Sequence, residues 1–196
     1  MAHISYKTEA IVLGHIARGE ANNVFILLTP DLGLLYAHGQ GVRLEKSKLR
    51  FSLQDFSIID AMLVHGKTGW RITNASPKVS CYYEMNKESL SLTARIFSLI
   101  KKLVVGEEQN TELYTLCSSN IFGLLDKKIS NEERARIEIV WVLKALSILG
   151  YVDMQNMQNI ENMTFDQVRL NTDIDSIKKD ALSQINRAIE SSHLYF

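Results

Sequence analysis

Four cations, Arg43, Lys46, Lys48 and Arg50, crowd into eight consecutive positions of the segment Gly41-Val42-Arg43-Leu44-Glu45-Lys46-Ser47-Lys48-Leu49-Arg50-Phe51. The stretch is Gly-containing and has no helical or strand period. A loop of this kind can lay Lys and Arg against successive phosphates, and each neutralised phosphate releases condensed counterions. Phe25, Tyr36, Phe56 and Trp70 lie in the segments around it. An outward-facing aromatic among them would offer a face on which a base can stack. The same residues also fit a solvated loop with the aromatics in a core. Chemistry of this type is binding chemistry, in which no bond is made or broken.

Constellations for catalysis are weak. The chain has no Gly-x4-Gly-Lys-Ser/Thr phosphate loop and no GxGxxG opening a helix. It has neither GxSxG nor HExxH. His3, His15, His38, His65 and His193 are scattered, and none has a carboxylate at a metal-pair spacing. His15 and His38 are the pair that strands could bring together, although ordinary surface or core histidines are the simpler reading. Asp173, Asp175 and Asp180 lack the Gly and terminal Glu of a calcium loop; at a helix start such acids simply favour the dipole. Cys81 and Cys117 have no CxxC partner, which marks them as small buried hydrophobes rather than zinc ligands. No catalytic residue, metal or cofactor is assigned.

The elements that must position the basic segment read as strands. Ser5–Gly14, Asn23–Thr29, Leu34–Val42, Asp55–Val64 and Trp70–Ala75 are short and rich in β-branched and aromatic residues. Thr29-Pro30-Asp31-Leu32-Gly33 is a tight turn, with Pro fixing φ early and Gly free to take a positive φ late. His65-Gly66-Lys67-Thr68-Gly69 is a hairpin loop. Five such strands suit a small closed barrel, because closure removes exposed edges. Gly14, Gly39 and Gly41 are available for its bends. An SH3-like barrel fits these counts almost as well.

After Pro77 the period changes to that of helices. Leu92, Ile96, Leu99, Ile100 and Leu103 make one apolar face, and Leu113, Leu116, Cys117, Ile121 and Leu124 a second. A third helix opens at the capping-box pattern Ser130-x-x-Glu133 and ends at Gly150. It is apolar nearly all round from Ile137 to Leu149, as the centre of a bundle must be. A last helix repeats Ile174, Ile177, Ala181, Ile185 and Ala188, and Asp153–Val168 between them reads as a loop or short irregular helix.

Net charge is zero over 196 residues, but it is unevenly spread. Residues 1–80 hold nine Lys/Arg against six acids, and the rest hold 13 against 16. A mildly cationic front half is what a polyanion-facing domain needs. Nothing near the N-terminus reads as a signal peptide, and no apolar run is long enough for a membrane span. A cytoplasmic protein without membrane contact is the expectation.

The order of pieces in the front half resembles one family. Thr8-Glu9-Ala10-Ile11-Val12-Leu13, Gly19-Glu20-Ala21-Asn22 and Leu28-Thr29-Pro30-Asp31-Leu32-Gly33-Leu34-Leu35 resemble the opening of RecO DNA-repair proteins. Gly41-Val42-Arg43, Ser47-Lys48-Leu49-Arg50 and Leu53-Gln54-Asp55-Phe56-Ser57 continue the match through roughly residue 76. Leu146-Ser147-Ile148-Leu149-Gly150-Tyr151 is similar to the helix that precedes a four-cysteine zinc segment in many members. Here Asp153–Val168 contains no cysteine, so no zinc is carried over.

The resemblance implies an α+β protein: a five-stranded OB-fold barrel over 1–79, followed by an all-α helical domain over 80–196. It implies a nucleoid-associated mediator that binds single- and double-stranded DNA and anneals complementary strands. With RecR, such a protein helps load RecA onto DNA coated by single-strand-binding protein, whose C-terminal tail docks on the helical domain. By position, Arg43, Lys46, Lys48 and Arg50 match the family's basic segment and are assigned to phosphate contact, with Arg18 and Arg71 as further members. The competing view pairs Arg18 and Arg71 with Glu20 or Asp60 on the surface. Arg95, Lys101, Lys102, Arg134 and Arg136 are candidates for the tail. The alternative function is an OB-fold adaptor that docks proteins and touches DNA only incidentally.

Overall fold

The computed structural model describes residues 4–154, 158–174 and 181–187. Ile177, Ala188, His3, His193, Asp175 and Asp180 lie outside them.

Five strands come first: β1 (Ser5–Arg18), β2 (Asn22–Thr29), β3 (Gly33–Gly39), β4 (Ile58–Gly66) and β5 (Gly69–Val79). They close into a barrel in the order β1-β2-β3-β5-β4, with β4 returning to pair with β1. All neighbours are antiparallel except β3 and β5, which run parallel through Ala37↔Trp70 and His38↔Arg71. A short helix, α1 (Leu49–Ser52), sits between β3 and β4. The barrel interior is filled by alternate residues of each strand, including Val12, Phe25, Leu27, Leu35, Ala37, Leu63, Trp70 and Ile72. Phe25 and Trp70 are therefore core, and only Tyr36 of the four candidate stacking aromatics stands well exposed, with Phe56 half-buried.

Two strands run on past the ends expected from sequence. β1 continues through Gly14 to Arg18 because Gly14 is not a terminus but the seat of a bulge, with φ 148 and a register shift between Val12 and Gly14. The shift lets one strand pair with β4 over its first half and β2 over its second. β5 runs through Pro77 to Val79, and Pro77 lies opposite Ile59. Beyond Arg71 its other side has no strand partner in the barrel, so the missing N–H breaks no ladder. Gly33 is required twice over. Its φ is +68, and a Cβ there would lie 2.1 Å from the Glu108 carbonyl oxygen.

The helical elements are α2 (Cys81–Glu84), α3 (Lys87–Leu103), α4 (Thr111–Leu124), α5 (Asn131–Ile148), α6 (Gln158–Glu161) and α7 (Phe165–Leu170), with residues 181–187 also helical. The chain divides into two compact units. One is the described chain up to Glu84 together with Val105–Ser118; the other is Met85–Val104 with the described residues from Ser119 on.

Within the first unit, Trp70 Nε1 donates to Glu107 Oε2 (2.9 Å), Thr111 Oγ1 to the Pro30 carbonyl (3.1 Å) and Tyr114 Oη to Glu9 Oε2 (3.0 Å). These bonds hold 105–118 on the barrel. Burial, with the Glu9 carboxylate as its acceptor, drives the Tyr114 hydroxyl well above its ordinary range. Lys78 bonds the same carboxylate and holds Glu9 below the usual carboxylate range.

Within the second unit, α5 is buried along most of its length, and Trp141 meets Phe97 of α3 edge to face at 6.1 Å. Both halves of the Ser130–Glu133 capping box form. The helix ends in a Schellman pair, with the Gly150 N–H on the Ser147 carbonyl and the Tyr151 N–H on that of Leu146; Gly150 takes φ 77. The segment expected to be a loop or short irregular helix contains α6 and most of α7, the latter opened by its own capping box at Thr164 and Gln167.

Candidate nucleic-acid interface

The basic loop owes its shape to apolar anchors. Val42 and Leu53 are buried in the barrel core and Leu49 packs against it, so the chain between them must follow the rim. Successive tight turns carry it along, with N–H to carbonyl bonds from Leu44 to Gly41, Ser47 to Leu44 and Arg50 to Ser47. Arg43, Lys46, Lys48 and Arg50, the residues not used as anchors, all face solvent.

The loop is tied to the β1–β2 turn at three points. The Gly41 N–H donates to Asn22 Oδ1 (2.8 Å), the Arg43 N–H to the Ala21 carbonyl (3.0 Å), and Arg43 Nη1 to the Gly19 carbonyl (2.8 Å). Arg43 thus has a structural duty beside any ligand contact, and it is brought to the turn that follows Arg18.

A second group lies on the outer face of the sheet. The register places Ile16, Val24, His38 and Arg71 in one cross-strand row over β1, β2, β3 and β5. Arg18 Nη1 reaches His38 Nε2 at 3.5 Å. Tyr36, two residues before His38 on the same face of β3, is 51% exposed, and Ile16 is 55% exposed. His15 does not join His38. It belongs to the alternate row, meets the Phe25 ring at a tilt and bonds Asp55 at 2.7 Å.

The electrostatics follow from what is missing beside these groups. Among the described residues, Arg18, Arg43, Lys46, Lys48, Arg50 and Arg71 form no ion pair with a carboxylate. Asp60, the carboxylate that the competing view gives to Arg71, pairs with Lys78 instead, and Arg18 takes His38 rather than Glu20. Exposed cations with no carboxylate beside them keep most of their field and can meet an anion. Arg18, His38, Arg43 and Arg71 are drawn together; Lys46, Lys48 and Arg50 are strung along the loop, with no bond tying them to the row.

Sequence reasoning passed over three residues of this surface. His38 was legible from strand alternation, since Leu35 and Ala37 point inward and Tyr36 and His38 outward. Lys67 lies exposed in the β4–β5 turn, and Phe51, 68% exposed, follows Arg50 in α1. The β2–β3 face and the β1–β2 and β4–β5 loops are where barrels of this topology bind oligonucleotides.

The tail candidates fare differently from one another. Arg95 is held by Glu138 through two bonds of 2.7 Å, and Arg134 donates to the Ile129 carbonyl and Asn131. Arg136 is buried and donates to the Arg169 carbonyl. Arg95 and Arg134 flank an open groove of about 400 Å³ between α3 and α5.

Among the described residues no three His, Cys, Asp or Glu side chains converge as a metal site would require. Nor is any described helix long and apolar enough to cross a membrane. Both cysteines are buried; Cys81 Sγ donates to the Phe56 carbonyl, and burial pushes its thiol up to about 12.

A closed barrel of this strand order, with a helix between its third and fourth strands, is an OB-fold, and helices follow it in the chain. No family model matches the sequence. Several curated proteins do. It is 30% identical over 149 residues to "DNA repair protein RecO" of Chlorobium limicola, covering 74% of this chain and 56% of that one. A protein of the same name from Alkaliphilus metalliredigens is 27% identical over 144 residues, with 72% and 55% covered. Another from Dehalococcoides mccartyi is 36% identical over 92 residues, with 47% and 36% covered. Over the matched span the chain is thus a sequence relative of RecO proteins. It spans about half the length of the curated relatives it matches.

Proposed function

We propose that the protein serves DNA repair as a binding mediator, without catalysis. It holds single- and double-stranded DNA on the outer face and rim of the barrel and anneals complementary strands. With RecR it helps RecA onto strands coated by single-strand-binding protein, whose tail docks on the helical region. Its place of work is the nucleoid, in the cytoplasm. Phosphates meet Arg18, Arg43, Lys46, Lys48, Arg50 and Arg71. The observation that carries the reading is this set of exposed cations, none paired with a carboxylate among the described residues, around the OB-fold face. The relatives' shared name, "DNA repair protein RecO", supports the same role.

Annealing follows from the physics. Two strands repel through their phosphates, and a cationic surface that screens this repulsion leaves the base edges free to pair.

The test is annealing of complementary oligonucleotides by wild type and by Lys46→Ala with Lys48→Ala. Arg43 is spared because it also fastens the β1–β2 turn. The double variant should anneal more slowly and bind all sequences more weakly by a similar factor. If wild type binds no single strand even at low salt, the barrel is a protein-docking adaptor and the mediator reading falls.

A further inference from the structure

We propose that His38 is a proton-dependent member of the phosphate-binding row, so that the protein takes up a proton at His38 when it grips DNA. The inference rests on the reading of this face as a DNA site.

Its ground is the bond between Arg18 Nη1 and His38 Nε2. A guanidinium has donors only, so the ring nitrogen facing it must supply a lone pair. In that bond His38 Nε2 is the acceptor, a role that only an unprotonated ring nitrogen can fill. Among the described residues, the register and hydrogen-bond partners of His38 bring no carboxylate to the ring. Arg18 comes from β1, Arg71 lies opposite on β5, and Val24, between Asn23 and Phe25, lies opposite on β2. On β3 itself the neighbours on the same face are Tyr36 and, past the strand end, Gln40. Glu20 in the β1–β2 turn is the acid nearest Arg18 in the chain, and no carboxylate bonds the ring among the described residues.

The ring serves Arg18 as an acceptor and in that role is a poor phosphate ligand. A phosphate entering the row changes both facts. It attracts an imidazolium more strongly than an imidazole, and it offers Arg18 an anionic acceptor in place of the ring. Protonating Nε2 breaks the Arg18 bond, releases that guanidinium toward the phosphate and adds one charge to the row. By linkage, binding that favours the protonated form strengthens as pH falls through the range in which histidine titrates. One proton taken up changes affinity by at most about tenfold per pH unit.

The probe is a thymine-only oligonucleotide, whose bases and phosphates do not titrate near neutrality. Its dissociation constant is measured with the full chain at pH 6, 7 and 8 and fixed ionic strength, for wild type, His38→Gln and His15→Gln. Glutamine can still accept from Arg18 but cannot gain charge. Wild type and His15→Gln should bind roughly three- to tenfold more tightly at pH 6 than at pH 8. His38→Gln should bind with a flat profile across the same range. A flat wild-type profile with binding intact, or an unchanged slope in His38→Gln, overturns the role of His38 alone. Absence of binding at every pH overturns the DNA site as well.

Discussion

Removing Arg18 and Arg71 together should change how binding depends on salt by a calculable amount. Both side chains are exposed, neither pairs with a carboxylate among the described residues, and they flank His38 from β1 and β5. Their loss should therefore leave the fold within about 0.5 kcal/mol of wild type. Each phosphate neutralised on a single strand contributes about −0.7 to the slope of log affinity against log salt. If all of Arg18, Arg43, Lys46, Lys48, Arg50 and Arg71 meet phosphates, the slope is about −4, and affinity falls about 300-fold between 50 and 200 mM salt. Arg18→Ala with Arg71→Ala leaves a slope of about −3 and a fall of about 50-fold over the same range. Fluorescence anisotropy of a labelled thymine oligonucleotide across that series reads both slopes. A variant that binds more weakly but keeps the wild-type slope would show that neither arginine meets a phosphate.

Three further outcomes follow from other parts of the molecule. Tyr36→Ala should weaken single-strand binding by about 1–3 kcal/mol, the worth of one stacked base, while scarcely affecting duplex; equal losses on both would rule out stacking. Gly33→Ala places a methyl against the Glu108 carbonyl at a left-handed φ and should cost at least about 2 kcal/mol in urea unfolding; an unchanged midpoint would contradict the packing described. The third concerns acid. Backbone N–H groups of Ser130 and Lys128, and then Arg169, hold the Glu133 and Asp126 carboxyls below their ordinary values. Their contribution is therefore full above the unfolded-state carboxylate range and is lost as pH falls through the lowered values. Arg169→Met should move acid unfolding, followed by circular dichroism, to higher pH, and the two proteins should converge in strong acid. An unmoved midpoint would remove Arg169 from acid stability.

The barrel was readable because its strands alternate and its turns are chemically marked: Pro30 and Gly33 close one connection, Gly66 and Gly69 another. Strand ends were harder. A glycine at a bulge looks like a terminus in sequence, and Pro77 looks like a break when the strand beside it is open on one side. Which aromatics are core could not be read from type. Trp70 and Tyr36 sit on parallel, neighbouring strands, and one points in and the other out. The basic loop announced itself by composition, but the clamp of Arg43 on Gly19 depends on two loops meeting in space, 24 residues apart in the chain. The His38–Arg18 bond is hidden for the same reason, since only closure of β1 onto β2 and β3 brings the two together. The Thr164–Gln167 capping box, by contrast, was present in the sequence as a plain T-x-x-Q pattern.

The central claim is that DNA lies on the barrel face bounded by Arg18, Tyr36, His38, Arg71 and the basic loop. Photocrosslinking of a thymine oligonucleotide carrying bromodeoxyuridine, with the attached peptides identified by mass spectrometry, tests it directly. Attachment is expected on β3 at Tyr36 and on peptides from the β1–β2 turn and residues 40–51. Attachment confined to α3, α5 or α7, with none on the barrel, would contradict it.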